Sequence, residues 1–185
     1  MIPLIIIFAV FLTLFLLGVT QYNRLVRSRQ MAQEGLSGID VQLKRRADLI
    51  PNLLETVKGY MGHERQVLEK VTELRTRSLQ AESVAEKGQV EGMLTQALKN
   101  LFAVAENYPD LKASQNFMEL QKSLADIEEQ LQLSRRYYNG AARNLNILVQ
   151  SFPSNIVARM FGFHEVEYFQ LEDQADRAVP EVSFA

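Results

Sequence analysis

An uncharged apolar run at the N-terminus constrains this chain more than any other feature. Residues Ile2 to Val19 read IPLIIIFAVFLTLFLLGV and contain no charged side chain. As a helix this run is roughly 27 Å long, close to the hydrocarbon thickness of a bilayer. A secretory signal peptide is the competing interpretation, but no Lys or Arg precedes the run, and LLGVTQYN is a poor cleavage site. We therefore expect an uncleaved transmembrane anchor over residues 1–21.

The charges that follow the anchor predict its orientation. Arg24, Arg27 and Arg29 come directly after the apolar run, whereas only the amino group precedes it. Lys and Arg are enriched on the cytoplasmic flank of a membrane span. The sequence therefore predicts a single-pass protein of the inner (cytoplasmic) membrane, with its N-terminus outside and its C-terminal body in the cytoplasm.

Beyond the anchor, apolar residues recur at steps of three and four, which is the spacing of helices. This spacing averages 3.5 residues and gives a narrow seam that suits antiparallel helix packing. The longest such run comprises Phe117, Leu120, Leu124, Ile127, Leu131, Ser134, Tyr138, Ala141, Leu145, Leu148 and Phe152. No strand pattern of useful length occurs before residue 160.

Helix-breaking residues predict where these helices end. The segment AESVAEKG near Gly88 reads as a loop or a frayed turn, and NYPDL ends a helix at about Tyr108. SFPSN ends the longest helix near Phe152, and a short helix is then expected to run through Phe161 and to end before Gly162.

The first soluble segment is expected to reverse at KGYMGHE, where Gly59 and Gly62 lie close together. Without a reversal there, the apolar C-terminal half of the longest helix would find no partner and stay wet. A bent but continuous helix is the alternative. With the reversal, the predicted fold is all-α: an N-terminal transmembrane helix, an up-and-down, antiparallel, coiled-coil-like four-helix bundle over residues 22–163, which includes a short terminal helix, and an extended acidic tail over residues 164–185.

Proline disfavours a helix interior, but the three-and-four spacing of the apolar residues is unchanged across Pro51. We therefore expect a helix that continues through Pro51 with a kink. The proline ring leaves the carbonyl of Ala47 without its helical donor. The side chain of Asn52 or a neighbouring helix is expected to supply one. Two interpretations stay open: a hinge formed by Pro51, Gly59 and Gly62, or a bend that lets the helix wrap its bundle.

Three long motifs carry a family resemblance. They are GIDVQLKRRADLIPNLLETVKGYMGHE, AVAENYPDLKASQNFMELQ and SRRYYNGAARNLNILVQSFPSNIVARMFGF. Between about Tyr22 and Phe163 the chain closely resembles the bacterial LemA family. It departs from the family at Leu36, where a tryptophan in WSxID is expected. The resemblance implies an N-terminal anchor and a four-helix up-and-down bundle, and it implies no established enzymatic activity.

The residue types of catalysis are scarce. The chain has no cysteine, which excludes disulfides, thiolate metal sites and cysteine nucleophiles. His63 and His164 stand in no metal-binding spacing, and no phosphate-loop or nucleophile-elbow motif occurs. We therefore predict no catalytic, cofactor-binding or metal-binding residue and no enzymatic activity. The net charge of -2 gives no indication of nucleic-acid binding.

Charge is distributed unevenly along the chain, and two basic clusters form a candidate interaction surface. Its members are Lys44, Arg45, Arg46, Arg135 and Arg136. They are expected either to contact acidic surfaces of a partner or sister subunit, or to form a solvated face with salt bridges such as Lys44 with Asp48. From Gly162 onward the chain has six acids and one cation, so the tail is a candidate for the acidic side of such a contact.

A second apolar cluster is a candidate for the membrane interface. Its members are Ile156, Val157, Met160, Phe161 and Phe163. Packing as a lid under the bundle is the alternative.

Two functions follow as hypotheses. The first is a non-enzymatic, membrane-anchored helical scaffold that forms a homo-oligomer and organises or shapes the lipid bilayer. The second is an accessory binding subunit of another membrane protein, such as a membrane protease or a transporter.

Overall fold

Helices form nearly all of the regular structure. A computed structural model describes residues 2–62 and 64–170, and within those ranges the chain is all-helical with no strand, as predicted. The helices are α1 (Ile2–Lys58), α2 (Arg65–Gln80), α3 (Val84–Ala105), α4 (Pro109–Lys112), α5 (Gln115–Gln150) and α6 (Ser154–Met160). His63 and residues 171–185, which include most of the predicted acidic tail, lie outside the described ranges.

The first soluble helix breaks where its glycines predict. α1 runs through Pro51 without interruption and ends at Lys58. The N–H groups of Tyr60 and Met61 both donate to the carbonyl of Val57, each at 3.0 Å, which closes the last turn. Gly59 and Gly62 lie between α1 and α2, so the alternative of one continuous helix through this region is wrong.

The loop predicted near Gly88 is displaced, since Gly88 lies inside α3. The loop occupies residues 81–83, because the hydroxyl of Ser83 accepts the N–H of Glu86 at 3.1 Å and so starts the helix early. The glycine has a separate reason. A Cβ at residue 88 would collide with the carbonyl oxygen of Gln170, so only glycine admits the chain at this position.

The end of α6 is a glycine cap. Gly162 has a φ of 68°, in the left-handed region, and the N–H of Phe163 donates to the carbonyl of Ala158 at 2.9 Å. This is the pattern of a Schellman motif. Phe152, expected at the end of the seam of α5, is 80% exposed, because α5 ends at Gln150 before the apolar stripe reaches it.

The described residues divide into two units. Of the described residues, the first contains those up to Asp40 together with Gln132–Tyr168, and the second contains those of Val41–Leu131 together with Phe169 and Gln170. α1 and α5 each contribute to both units. The predicted domain limits at residues 21 and 163 remain a prediction.

In the first unit, the early part of α1 packs antiparallel to the last part of α5. A buried cluster of Leu25, Leu145, Ala158 and Phe163 joins both helices to α6. The two long helices approach closely at Gly35, where an added Cβ would lie 2.9 Å from the Cα of Tyr138.

The second unit has the larger core. Its buried apolar side chains come from the end of α1 and from α2, α3, α4 and the start of α5. They are Ile50, Leu53, Leu54, Val57, Met61, Leu68, Val71, Leu74, Leu94, Ala97, Leu98, Leu101, Ala105, Leu111, Phe117 and Leu124. These positions follow the three-and-four spacing seen in the sequence, so burial of the stripe accounts for the helices that form here.

Candidate functional site

The apolar part of α1 is uncovered. No residue from Ile2 to Val19 is buried, and α1 is the one helix of the described chain that is long and apolar enough to cross a membrane. A core helix of a soluble protein would be covered by its neighbours. The segment is compatible with a single-pass membrane protein.

Two hydroxyl groups within or beside this segment are satisfied internally. Thr13 Oγ1 donates to the carbonyl of Ala9 at 2.8 Å, and Thr20 Oγ1 lies 2.8 Å from the carbonyl oxygens of both Leu16 and Leu17. Internal bonds of this kind suit an environment without water, since lipid offers no hydrogen-bond partner.

A buried polar cluster lies in the second unit, where Arg46 of α1 meets two carboxylates. Its Nη1 lies 3.2 Å from an oxygen of Glu91 on α3 and 3.2 Å from an oxygen of Glu128 on α5. The hydroxyl of Ser78 on α2 donates to the other oxygen of Glu91. The cluster therefore ties four helical segments together.

Burial dominates the electrostatics of this cluster. The side chains of Arg46 and Glu91 are 5% and 1% exposed. Burial raises the pKa of Glu91, and it outweighs the opposing effects of the Ser78 hydrogen bond and the Arg46 charge. Loss of one partner from such an arrangement would leave a buried charge unpaired.

The five predicted basic interaction residues do not share one environment. Arg46 and Arg135 are buried, whereas Lys44, Arg45 and Arg136 are exposed. Lys44 pairs with Asp48 at 2.7 Å, as the i,i+4 spacing predicted, and Arg45 donates to Gln42 at 3.2 Å. Only the three exposed cations are available to a partner.

The carbonyl released by Pro51 has a donor from a neighbouring helix. Arg75 Nε of α2 donates to the carbonyl of Ala47 at 2.7 Å. This realises one of the two donors that the sequence left open; the side chain of Asn52 is exposed.

The segment that follows α6 is held against α5 by side chains that the sequence did not single out. Asn146 Nδ2 donates to the carbonyl of Val166 at 2.9 Å, and the N–H of Val166 donates to Asn146 Oδ1 at 2.9 Å. Tyr138 donates its hydroxyl to the carbonyl of Glu167 at 2.6 Å. Burial, assisted by the Glu167 charge, raises the pKa of Tyr138 and keeps this donor protonated. Residues 164–168 are therefore part of the first unit.

The predicted membrane-interface residues divide by exposure. Ile156, Met160 and Phe161 are exposed, Val157 is half-buried, and Phe163 is only 5% exposed. Phe163 packs within the first unit: its ring lies 5.8 Å edge-on from that of Tyr22 and 4.9 Å from the guanidinium carbon of Arg29. The ring of Phe161 lies 4.8 Å from Tyr22.

We call residues 15–28 of α1, together with the side chains of α5 and α6 beside them, the junction. Two depressions lie on its surface. An apolar groove of about 330 Å³ is lined by Phe15, Gly18, Val19, Tyr22, Val157, Met160 and Phe161. A polar depression of about 340 Å³ is lined by Arg24, Arg27, Ser28, Asn144, Ile147 and Leu148. Phe15 and Gly18 precede Arg24 and Arg27 by nine residues, so the apolar groove and the polar depression lie on opposite faces of α1.

Metal-binding groups do not assemble in the described chain. Over residues 2–62 and 64–170, no three His, Asp or Glu side chains come together as metal ligands would. His164 is exposed, and His63 lies outside the described residues.

Fold and junction together define an all-helical protein with one N-terminal helix suited to a membrane. The model of the LemA family matches residues 35–184, and the chain therefore belongs to the LemA family.

Named relatives agree with this assignment. The chain is 25% identical over 185 residues to magnetosome protein MamQ 2 of Paramagnetospirillum magneticum, a match that covers 86% of this chain and 68% of that protein. It is 23% identical over 185 residues to magnetosome protein MamQ of Magnetospirillum gryphiswaldense, with the same coverage. It is 28% identical over 156 residues to protein LemA of Metamycoplasma hominis, covering 82% of this chain and 69% of the relative.

Proposed function

We propose that this protein is a single-pass, membrane-anchored helical scaffold without enzymatic activity, which self-associates and organises or shapes the membrane. One observation carries the proposal: the apolar segment Ile2 to Val19 is uncovered, and it continues in one helix into a body built of helices. The resemblance to magnetosome proteins, whose name refers to an organelle, supports a role at a membrane.

We take the body to be an up-and-down four-helix bundle. Contacts in the second unit support this arrangement. Ala47 of α1 meets Arg75 of α2, and Ser78 of α2 meets Glu91 of α3. Phe102 of α3 stacks edge-on with Phe117 of α5 at 6.0 Å. Each of the four longer helices, α1, α2, α3 and α5, thus meets the next of these four along the chain.

We assign the body to the cytoplasm; the positions of Arg24, Arg27 and Arg29, which follow the apolar segment and are all exposed, support this orientation. The absence of cysteine allows a direct test, because Lys99→Cys creates a unique thiol at an exposed site of α3. A membrane-impermeant maleimide should label it only after the inner membrane is opened. Labelling in intact spheroplasts would show that the body lies on the opposite side of the membrane.

Self-association is tested on the full-length protein in mild detergent, by size exclusion with light scattering. The proposal predicts a particle of several copies; a strict monomer contradicts it. The acidic side chains beyond Gln170 are candidates for the contact: Glu172, Asp173, Asp176 and Glu181. Truncation after Gln170 removes them and keeps the contacts of Val166 and Glu167.

A length-matched variant separates charge from chain length. Neutralising Glu172, Asp173, Asp176 and Glu181 with amides should weaken assembly as much as truncation does. If particle mass is unchanged in both, the acidic tail is not the contact. Crosslinking in native membranes tests the accessory-subunit alternative: a ladder of self-adducts supports the scaffold, whereas one dominant adduct with an unrelated protein supports the alternative.

A further inference from the structure

We propose that the junction binds anionic phospholipid: an acyl chain occupies the apolar groove, and the exposed arginines at the same level of α1 and on α6 attract negatively charged headgroups to this part of the membrane. This inference rests on the proposed membrane anchoring, and it adds a ligand class and a site.

The groove is built from two elements, the apolar segment of α1 and the short helix α6 with its cap. Phe15, Gly18 and Val19 belong to the apolar segment, whereas Met160 and Phe161 come from α6 and its cap. Because one wall is the proposed anchor itself, an acyl chain of the surrounding bilayer would have direct access to the groove. Met160 is 74% exposed, so α6 offers its apolar face to that occupant.

Gly18 contributes to the depth of the groove. A Cβ added at this residue meets no atom within 4 Å, so the space beside the helix is open. Tyr22 closes the end of the groove nearest the body, where its ring meets Phe161. An aromatic ring with a polar tip at this depth is the side chain expected at a lipid headgroup boundary.

Exposed cations lie at the level where the apolar segment ends, on faces other than that of the groove. Arg24 and Arg27 line the polar depression on the opposite face of α1, together with the polar side chains of Ser28 and Asn144. Arg159 is exposed on α6. Over residues 2–62 and 64–170, no carboxylate oxygen lies within 4.0 Å of these three guanidinium groups. Their charge is thus available for a phosphate, and basic clusters beside a span attract anionic lipid.

The test uses the absence of tryptophan from the chain. Met160→Trp places a single indole at the groove, and Met118→Trp places one at a half-exposed methionine of α5 in the second unit, as a matched control. Each full-length variant is reconstituted in phosphatidylcholine nanodiscs with a minor fraction of lipid brominated on its acyl chains. We expect quenching of the groove indole and none of the control indole. Equal quenching, or none at either position, overturns the proposal.

Headgroup selection is measured by comparing two lipids that carry bromine on their acyl chains and differ in headgroup. Brominated phosphatidylglycerol should quench the groove indole more strongly than brominated phosphatidylcholine at equal mole fraction. Arg24→Gln with Arg27→Gln should lower that ratio clearly toward one. Lys99→Gln with Lys122→Gln, two exposed cations of the second unit, should leave it unchanged.

Each result separates this inference from the proposed scaffold. A ratio of one in the unsubstituted background shows an embedded α6 without selection, and it overturns the lipid site while leaving self-association standing. A ratio that survives loss of both arginines but falls in the chain truncated after Gln170 assigns selection to the tail and overturns the site as drawn.

Discussion

Arg75 donates from Nε to the carbonyl oxygen of Ala47 at 2.7 Å, across two helices and a span of 28 residues. This is the carbonyl that Pro51 leaves without a donor, because proline has no N–H to offer four residues later. Arg75 thus supplies the hydrogen bond that Pro51 removes. The helix accepts its proline because a neighbour completes the hydrogen bond.

A double-mutant cycle tests this coupling. Arg75→Leu should lower the free energy of unfolding by about 1–3 kcal/mol, the cost of an unsatisfied buried acceptor. In a Pro51→Ala background the restored N–H can reach Ala47, so the same substitution should cost clearly less. Urea denaturation of the full-length chain in mild detergent, followed by far-ultraviolet circular dichroism, measures both. Arg77→Leu, an exposed arginine of α2, is the control, and strictly additive effects of Arg75 and Pro51 would contradict the coupling.

The buried cation of the second unit gives the second prediction. Arg46→Met should destabilise the protein by about 3–5 kcal/mol, because Glu91 and Glu128 would lose the charge they share. Arg45→Met, at the exposed neighbouring position, should change stability by about 0.5 kcal/mol or less. The same denaturation assay compares them. Similar losses of stability for both variants would show that the contacts of Arg46 with Glu91 and Glu128 do not stabilise the fold specifically.

Stability should depend on pH through Glu91. Burial raises the pKa of Glu91 in the folded protein above the ordinary 4.5. At a pH between the unfolded and the folded pKa, the folded protein therefore still holds a proton that the unfolded chain has released. Its contribution is therefore fully present below the unfolded pKa and is lost as pH rises through the folded pKa. Between these two pKa values the free energy of unfolding falls by about 1.4 kcal/mol per pH unit.

The Glu91→Gln variant isolates this contribution. The amide keeps the volume and cannot titrate, so the stability of the unsubstituted protein relative to the variant should fall as pH rises from acid toward neutral. Unfolding free energies measured at a series of pH values give the difference directly. A difference that rises with pH would mean that the Arg46 pairing, rather than burial, controls the carboxyl.

Two glycines of α1 form a matched pair. Gly35→Ala should destabilise the first unit by about 1–3 kcal/mol, because the new Cβ would press against the backbone of Tyr138 at 2.9 Å. Gly38→Ala meets only the hydroxyl of Ser134 at 3.9 Å, so better helix propensity should stabilise the protein by up to about 1 kcal/mol. Thermal unfolding in mild detergent distinguishes the two. If both substitutions stabilise, α1 and α5 do not approach as closely as described.

Local pattern was sufficient for the class of fold. Three-and-four spacing gave the helices, and the glycines at 59 and 62 gave the first reversal. The loop near Gly88 was misplaced because a capping serine outweighed a glycine whose role depends on Gln170, far along the chain. Contacts of that range are set by tertiary packing and leave no mark in a local window.

The same limit explains the polar cluster. Arg46 was assigned to a surface because it ends a basic run, yet it lies three residues after Leu43 and four before Ile50, on the buried stripe. That spacing was the available signal. Its partner Glu91 likewise precedes Leu94 by three residues. Which carboxylate meets which cation depends on helix register, and no single helix determines that.

The most direct test of the account is an image of the intact chain in a lipid nanodisc by electron cryomicroscopy, because mass, orientation and symmetry come from one measurement. The account predicts several copies whose apolar segments share one bilayer, with all helical bodies on the same side. A single copy, or a chain whose apolar segment lies outside the lipid, would contradict it.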